Sequence, residues 1–256
     1  MRLLLAAAAA TAVATAAVAQ DPLKICVEGA YPPFSETTPS GELQGFDIDV
    51  TNALCEQMGR ECEMVQTEWD GIIPALQEGK CDAIVASMSI TPDRQEVIDF
   101  TNKYYLTPAR FIAAEDADFE PSPEGMAGLT VGVQRGTIHQ DFMESEFPEA
   151  ELNLYGTQDE AYLDLQSGRV DAVMADSVAM DYGFLRTEQG EGYGFIGESY
   201  SIPEYHGVGA GIGIRKGEDE LREEFNAAID AIRESGSYKE IQDKYFDFDV
   251  YGDETS

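Results

Sequence analysis

Leu76-Gln-Glu-Gly-Lys-Cys-Asp-Ala-Ile-Val-Ala-Ser87 and, later in the chain, Leu165-Gln-Ser-Gly-Arg-Val-Asp-Ala-Val-Met-Ala-Asp176 are two versions of one pattern. In each, a helix is expected to stop at the glycine (Gly79, Gly168), a basic residue and an Asp follow, and an apolar run then reads as a strand. A weaker echo links Ile25-Cys-Val-Glu28 with Val131-Gly-Val-Gln134, both short strands that end in a polar residue. Self-similarity of this kind points to two α/β units of like construction. Open α/β sheets take ligands at the carboxyl ends of their strands. Glu28 and Ser87 in one half, and Gln134 and Asp176 in the other, are therefore expected to face each other across a cleft.

The surrounding sequence agrees with alternating strands and helices. Phe46, Val50, Leu54 and Met58 recur at helical spacing, as do Leu221, Phe225, Ile229 and Ile232. A further helix is expected to open near Thr157, with Asp159 and Glu160 in its first turn. Val208, Ala210, Ile212 and Ile214 alternate with glycines, which predicts a strand and fails the G-x-G-x-x-G spacing of a dinucleotide loop. The Pro- and acid-rich stretch Ala114 to Ala127 reads as a surface excursion.

Arg2 followed by an apolar and small-residue run, Leu3 to Ala19, and the exit Ala17-Val18-Ala19 describe a secretory signal peptide over residues 1–19. A membrane anchor, the competing reading, would need about 20 strongly apolar residues, whereas this run is mostly alanine with two threonines. The mature chain is expected to begin near Gln20, free in the periplasm. Losing Arg2 takes the formal charge from −33 to −34. Such a field argues against nucleic acid and anionic membranes as partners. It fits either a solvated acidic surface or the steering of a cationic solute, and screening limits the latter to about 10 Å in modest salt.

Cys55 and Cys62, seven positions apart, read in an oxidising compartment as a local disulfide, with about 2–3 kcal/mol of stabilisation for so short a loop. Cys26 and Cys81 are each expected in a strand, and a second bond is open to them if those strands are neighbours. A zinc site is the rival reading and lacks C-x-x-C spacing or a nearby His; no metal and no cofactor is expected.

Ser87-Met-Ser89-Ile-Thr-Pro-Asp-Arg94 carries the sharpest local chemistry. Thr91 suits an N-cap and Pro92 the first helical position. The exposed amides of that helix start favour an anion, and Arg94 is able to grip a carboxylate with two parallel bonds. The alternative is a surface arginine paired with Asp93 or Glu96. Across the cleft, Gly136-Thr137 should open a helix, and the Thr137 hydroxyl with the amide of Ile138 would donate to the other carboxylate oxygen. Asp176 offers the fixed negative charge an α-ammonium needs, unless it merely caps the helix that follows. Tyr31-Pro-Pro-Phe34 and Trp69 add flat faces suited to an aliphatic or cationic side chain, although a lone Trp is equally at home in a core.

Together, Tyr31-Pro-Pro-Phe34, Gly45-Phe-Asp-Ile-Asp49, Ser89-Ile-Thr91 with Arg94, Gly136-Thr137 and the ending Lys244-Tyr-Phe-Asp-Phe-Asp-Val-Tyr251 resemble the polar amino acid-binding proteins of ABC importers. The likeness extends over the whole mature chain and is greatest for the lysine/arginine/ornithine- and histidine-binding members, which also carry a disulfide where Cys55 and Cys62 stand. It implies an α/β, two-lobed periplasmic binding protein fold of type II. Two hinge crossings would lie near Leu106–Pro108 and Gly207–Gly209, with the ligand in the interlobe cleft. Lobe one would be residues 20–107 plus 208–256, and lobe two residues 108–207. It further implies that Arg94, with the amides of Ser89 and Ile138, holds a carboxylate and that Asp176 and Ser87 hold an α-ammonium. Tyr31 and Trp69 would flank the side chain, with Glu28 near its far end and Ala86 and Gln134 completing the lining. Glu28 stands where basic-amino-acid binders commonly carry an acid. Ala86 lacks a hydroxyl some relatives use, and Trp69 fills space that other rings occupy elsewhere, which leaves room for an arginine derivative such as an opine.

Hinge closure over the solute and delivery to an inner-membrane permease would be the mechanism, with the protein a monomer and not an enzyme. A periplasmic dehydratase of similar fold is the competing class. Against it, no nucleophile–base–orienter set is visible, and His139 and His206 have no partner motif. A receptor sensor domain, the third class, would need a following membrane helix.

Overall fold

Leu23-Lys-Ile-Cys-Val27 alternates in the way a strand buried on two faces requires: Leu23, Ile25 and Val27 enter one core and Cys26 enters another. This is β1 in a computed structural model that describes residues 21–252. The expected signal peptide, residues 1–19, lies outside the described residues. After β1 come β2 (Ala30–Tyr31), β3 (Ser35–Thr37), β4 (Leu43–Gln44), α1 (Phe46–Met58), β5 (Cys62–Gln66), α2 (Trp69–Gln77), β6 (Ala83–Ile84), α3 (Pro92–Val97) and β7 (Asp99–Tyr105). Next are β8 (Ala109–Ala114), β9 (Thr130–Gln134), α4 (Ile138–Glu146), β10 (Glu151–Tyr155), α5 (Gln158–Gln166), β11 (Ala172–Asp176), α6 (Ser177–Met180) and β12 (Tyr193–Tyr200). The chain ends with α7 (Pro203–His206), β13 (Ala210–Ile214), α8 (Asp219–Ser235) and α9 (Ser237–Tyr245).

Two five-stranded sheets have the same plan. The first runs β5-β1-β6-β13-β7 and the second β10-β9-β11-β8-β12. In each, three parallel strands are followed by two joined antiparallel. The repeat therefore marks equivalent places: β1 matches β9 and β6 matches β11. A small antiparallel sheet, β2-β3-β4, stands beside the first. The chain passes between the large sheets after Tyr105 and again after Tyr200. This is the two-lobed α/β architecture.

Local chemistry explains the element ends. α1 stops at Gly59, whose φ of 64° is the left-handed cap a side chain resists. α5 opens on a full capping box between Thr157 and Glu160. Thr91 accepts from the amide of Arg94, and Pro92 occupies the first turn of α3. Helices cover both faces of each sheet. On the first, Phe225, Ile229 and Ile232 of α8 join Val50 and Leu54 of α1, while Ile72 and Leu76 of α2 fill the opposite face. The segment after Ala114 is largely exposed but is pinned by Met126, which is fully buried.

Both disulfides form, Cys55–Cys62 and Cys26–Cys81. One expectation needs correction: Cys81 is not in a strand. It lies in the turn before β6, where Lys80 donates its amide back to Ala75, so the bond joins β1 to the loop between α2 and β6.

Candidate functional site

The carboxyl ends of the parallel strands converge. Glu28 follows β1 directly, Gln134 and Asp176 are the last residues of β9 and β11, and Ser87 stands just beyond β6. Between the sheets lies a cavity of about 620 Å3, counted out to the solvent at its mouth. Its wall contains every residue the sequence nominated: Glu28, Tyr31, Trp69, Ala86, Ser87, Ser89, Arg94, Gln134, Thr137, Ile138 and Asp176.

Three bonds tie the halves across the mouth. Gln134 Nε2 donates to Glu28 Oε1 at 2.6 Å, Trp69 Nε1 donates to the carbonyl of Gly136 at 3.0 Å, and Arg135 pairs with Asp70 at 2.9 Å. The last is half-exposed and contributes little. Trp69 is partly buried, packed on the edge of the core beside α2 while also lining the cavity. It begins α2 at the cavity rim, with the Arg94 guanidinium 5.2 Å from its ring centre.

Arg94 is not the surface arginine of the competing reading. Its Nη1 donates to the carbonyl of Ser89 at 3.0 Å, and burial lowers its pKa to about 10. Glu28 is buried, and loss of solvent raises its carboxyl to about 7 against the opposing pull of the Gln134 amide. Burial likewise raises Asp176 to about 6, although its Oδ1 accepts from the amides of Val178 and Ala179 and its Oδ2 from the hydroxyl of Thr107. Asp176 thus caps α6 and also lines the cavity. Among the described residues none of Glu28, Arg94 and Asp176 forms an ion pair. The cavity therefore holds one guanidinium and two carboxyl groups without internal counter-ions; a buried charge in that condition is costly, and Glu28, at about 7, is only partly ionised at neutral pH.

Thr137 lines the cavity, and without a solute its hydroxyl donates to the carbonyl of Gln134 at 2.7 Å. The backbone turn explains it: Gly136, at φ 70°, folds the chain so that Thr137 sits over the end of β9.

Sequence reasoning missed several wall residues. Thr107 is a cavity residue through its bond to Asp176, although only its nearness to a strand crossing marked it in the sequence. His139 and His206 also line the wall, with ring centres 6.3 Å apart. Burial holds the His139 pKa down to about 3, helped by His206 and Arg94, so the ring is neutral. His206 Nδ1 accepts from the amide of Ile202. No pattern in the sequence joins these two.

The family model for bacterial extracellular solute-binding proteins, family 3, matches residues 23–248. The L-arginine-binding protein of Pseudomonas aeruginosa is 51% identical over 236 residues, 91% of either chain. The histidine-binding periplasmic protein of Escherichia coli K12 is 41% identical over 254 residues, 98% of this chain and 97% of its own. A solved Salmonella typhimurium periplasmic binding protein, described for high arginine specificity, has a TM-score of 0.82 at 31% identity, covering 88% of this chain and 99% of its own. The family match begins at β1 and runs past α9, so it takes in both sheets and the cavity walls contributed by each, and the chain belongs to the bacterial extracellular solute-binding proteins, family 3.

Proposed function

We propose that this chain is the periplasmic solute-binding component of an ABC importer and that it captures a basic α-amino acid of the arginine, lysine and ornithine class. One observation carries the reading: Arg94, Asp176 and Glu28 are ionisable groups of the cavity without ion-pair partners among the described residues, and a cationic tail would draw Glu28 into its charged form. One cation and two anions are the complement of a zwitterion with a cationic tail. Arg94 and the amides of Ser89 and Ile138 would take the carboxylate, Asp176 and Ser87 the ammonium, and Glu28 the tail between Tyr31 and Trp69. Pairing every charge is what offsets desolvation and gives selectivity.

In this reading residues 1–19 direct export, lobe one is residues 20–107 plus 208–256, and lobe two is residues 108–207. The crossings after Tyr105 and Tyr200 are its hinges. The closed monomer would be presented to a membrane permease without nucleic acid or cofactor. Gly207 supports the second hinge, since at φ 71° an added Cβ would lie 2.2 Å from the carbonyl of Ile90.

Isothermal titration of the purified mature chain with arginine, lysine, ornithine, glutamine and an arginine opine tests the proposal. Tight binding confined to cationic α-amino acids is expected, and preference for glutamine or the opine would overturn the ligand class. A carboxyl held at about 7, as Glu28 is, also has the protonation an acid catalyst uses. Incubation with prephenate and arogenate tests that second, enzymatic reading.

A further inference from the structure

Asp47 is a fully buried carboxyl that does not line the cavity. It sits in the first turn of α1, and no cation pairs with it among the described residues. Its side-chain partners are two hydroxyls, and the backbone amide of Ser87 also acts on it. Tyr104 donates to Oδ1 at 2.9 Å and Ser87 donates to Oδ2 at 3.0 Å. The Tyr104 oxygen in turn accepts from the amide of Ser87 at 3.1 Å. These bonds close a ring: the amide of Ser87 donates to Tyr104 and also acts on Asp47, Tyr104 donates to Asp47, and the hydroxyl of Ser87 donates to Asp47 with Tyr105 as a second neighbour.

Ser87 is held there at φ 54°, the one positive value at a non-glycine residue among those described. Such a backbone is strained and persists only where the surroundings impose it. The strain is therefore invested in aiming this hydroxyl. A serine hydroxyl has one proton and two lone pairs. With its proton taken by Asp47 behind it, Ser87 has only lone pairs left for Tyr105 beside it and for the cavity that both residues line.

We propose that Asp47 is a positioning residue that converts Ser87 into an obligate acceptor, so that this corner of the cavity takes a cationic N–H donor, the α-ammonium, and rejects ligands without one. The proposal rests on the reading of the cavity as an amino acid site. Burial raises Asp47 to about 6, and the two hydroxyl donors oppose the rise, so the carboxylate is charged at neutral pH and adds to the negative field behind Ser87.

The test compares arginine with its des-amino counterpart, 5-guanidinopentanoate, by calorimetry at neutral pH. The proteins are the wild type, Asp47→Asn, Ser87→Ala and the double variant. Asp47→Asn is expected to weaken arginine about tenfold while leaving the des-amino ligand within about twofold, the size expected for a hydrogen bond to a charged group. In the Ser87→Ala background the same change should have little further effect, because the two residues act as a unit. Equal weakening of both ligands, or a loss that adds fully to that of Ser87→Ala, overturns the proposal. If Asp47→Asn fails to fold by circular dichroism, Tyr104→Phe replaces it. That change removes the other hydroxyl donor to Asp47 and releases the Ser87 amide, and an unchanged preference for arginine overturns the proposal as well. A wild type that does not prefer arginine to its des-amino counterpart sinks the amino acid reading itself, and this inference with it.

Discussion

Glu28 and Gln134, which end the matching strands of the two halves, meet across the cleft with the Gln134 amide 2.6 Å from the Glu28 carboxylate. The duplicated plan thus brings its two equivalent residues into contact, one acidic and one neutral. The difference between them is what gives this end of the cavity its charge.

Replacing Glu28 by Gln removes that charge and keeps the shape. Arginine and lysine should weaken by about tenfold or more, the scale of a buried charge-assisted bond, while a neutral amino acid changes little. Calorimetry on both ligand types measures it. Equal losses would remove Glu28 as the reason for a cationic ligand.

The same substitution reads out the cost of burying Glu28. Its folded pKa of about 7 lies above the usual carboxylate range, so between about pH 4.5 and 7 the folded chain holds a proton the unfolded chain has lost. Stability from this group is present at low pH and declines as pH rises through 7, by on the order of 3 kcal/mol at most. Without ligand, Glu28→Gln should therefore melt above the wild type at pH 8, and the gap should shrink by pH 5. His139, whose depressed pKa has the opposite sign, is common to both proteins and cancels. A gap that widens on acidification would contradict the burial argument.

Asp176 has two duties that two substitutions separate. Asn retains a capping oxygen for the amides of Val178 and Ala179, whereas Ala loses it. Both changes should reduce amino acid binding by about a hundredfold, because each leaves an ammonium without its counter-charge. Without ligand, Asp176→Ala should be less stable than Asp176→Asn by about 1 kcal/mol, since relief of the buried charge is common to both and only the cap differs. Wild-type affinity in Asp176→Asn would reassign the ammonium site, and denaturant melts check the stability half.

The two disulfides should differ in weight. Cys26–Cys81 closes a separation of 55 residues and Cys55–Cys62 one of 7. Loop-closure entropy assigns about 4 kcal/mol to the first and about 2.5 to the second. Serine pairs at each site, compared by guanidinium midpoint, should fall in that order. The first is also expected to weaken ligand binding, because it anchors the loop that follows α2, the helix that carries Trp69.

Much of this was legible in the sequence because it depends on neighbours in the chain. The repeat located β6 and β11 and the residues at their ends, and capping chemistry located α3 and α5. What escaped depends on distant partners. Asp47 lies within the motif Gly45-Phe-Asp-Ile-Asp49, yet its meaning comes from Ser87 and Tyr104, separated by 40 and 57 residues. Spacing likewise placed Thr137 at the cavity but did not show that its hydroxyl turns to the carbonyl of Gln134 when no solute is present. Thr107, His139 and His206 reach the cavity only through the route of the strands between the sheets.

That route also sets an order of assembly. β13 lies between β6 and β7, so the first sheet, begun at Leu23, keeps an unfilled central slot until residues 210–214 arrive. The second sheet draws all its strands from residues 109–200 and needs nothing beyond them. A chain emerging from its amino end can therefore complete its second sheet before its first, and β7 must wait for a partner made about a hundred residues later, a long-range closure that slows folding. Such a delay keeps the starting half open until synthesis is nearly finished.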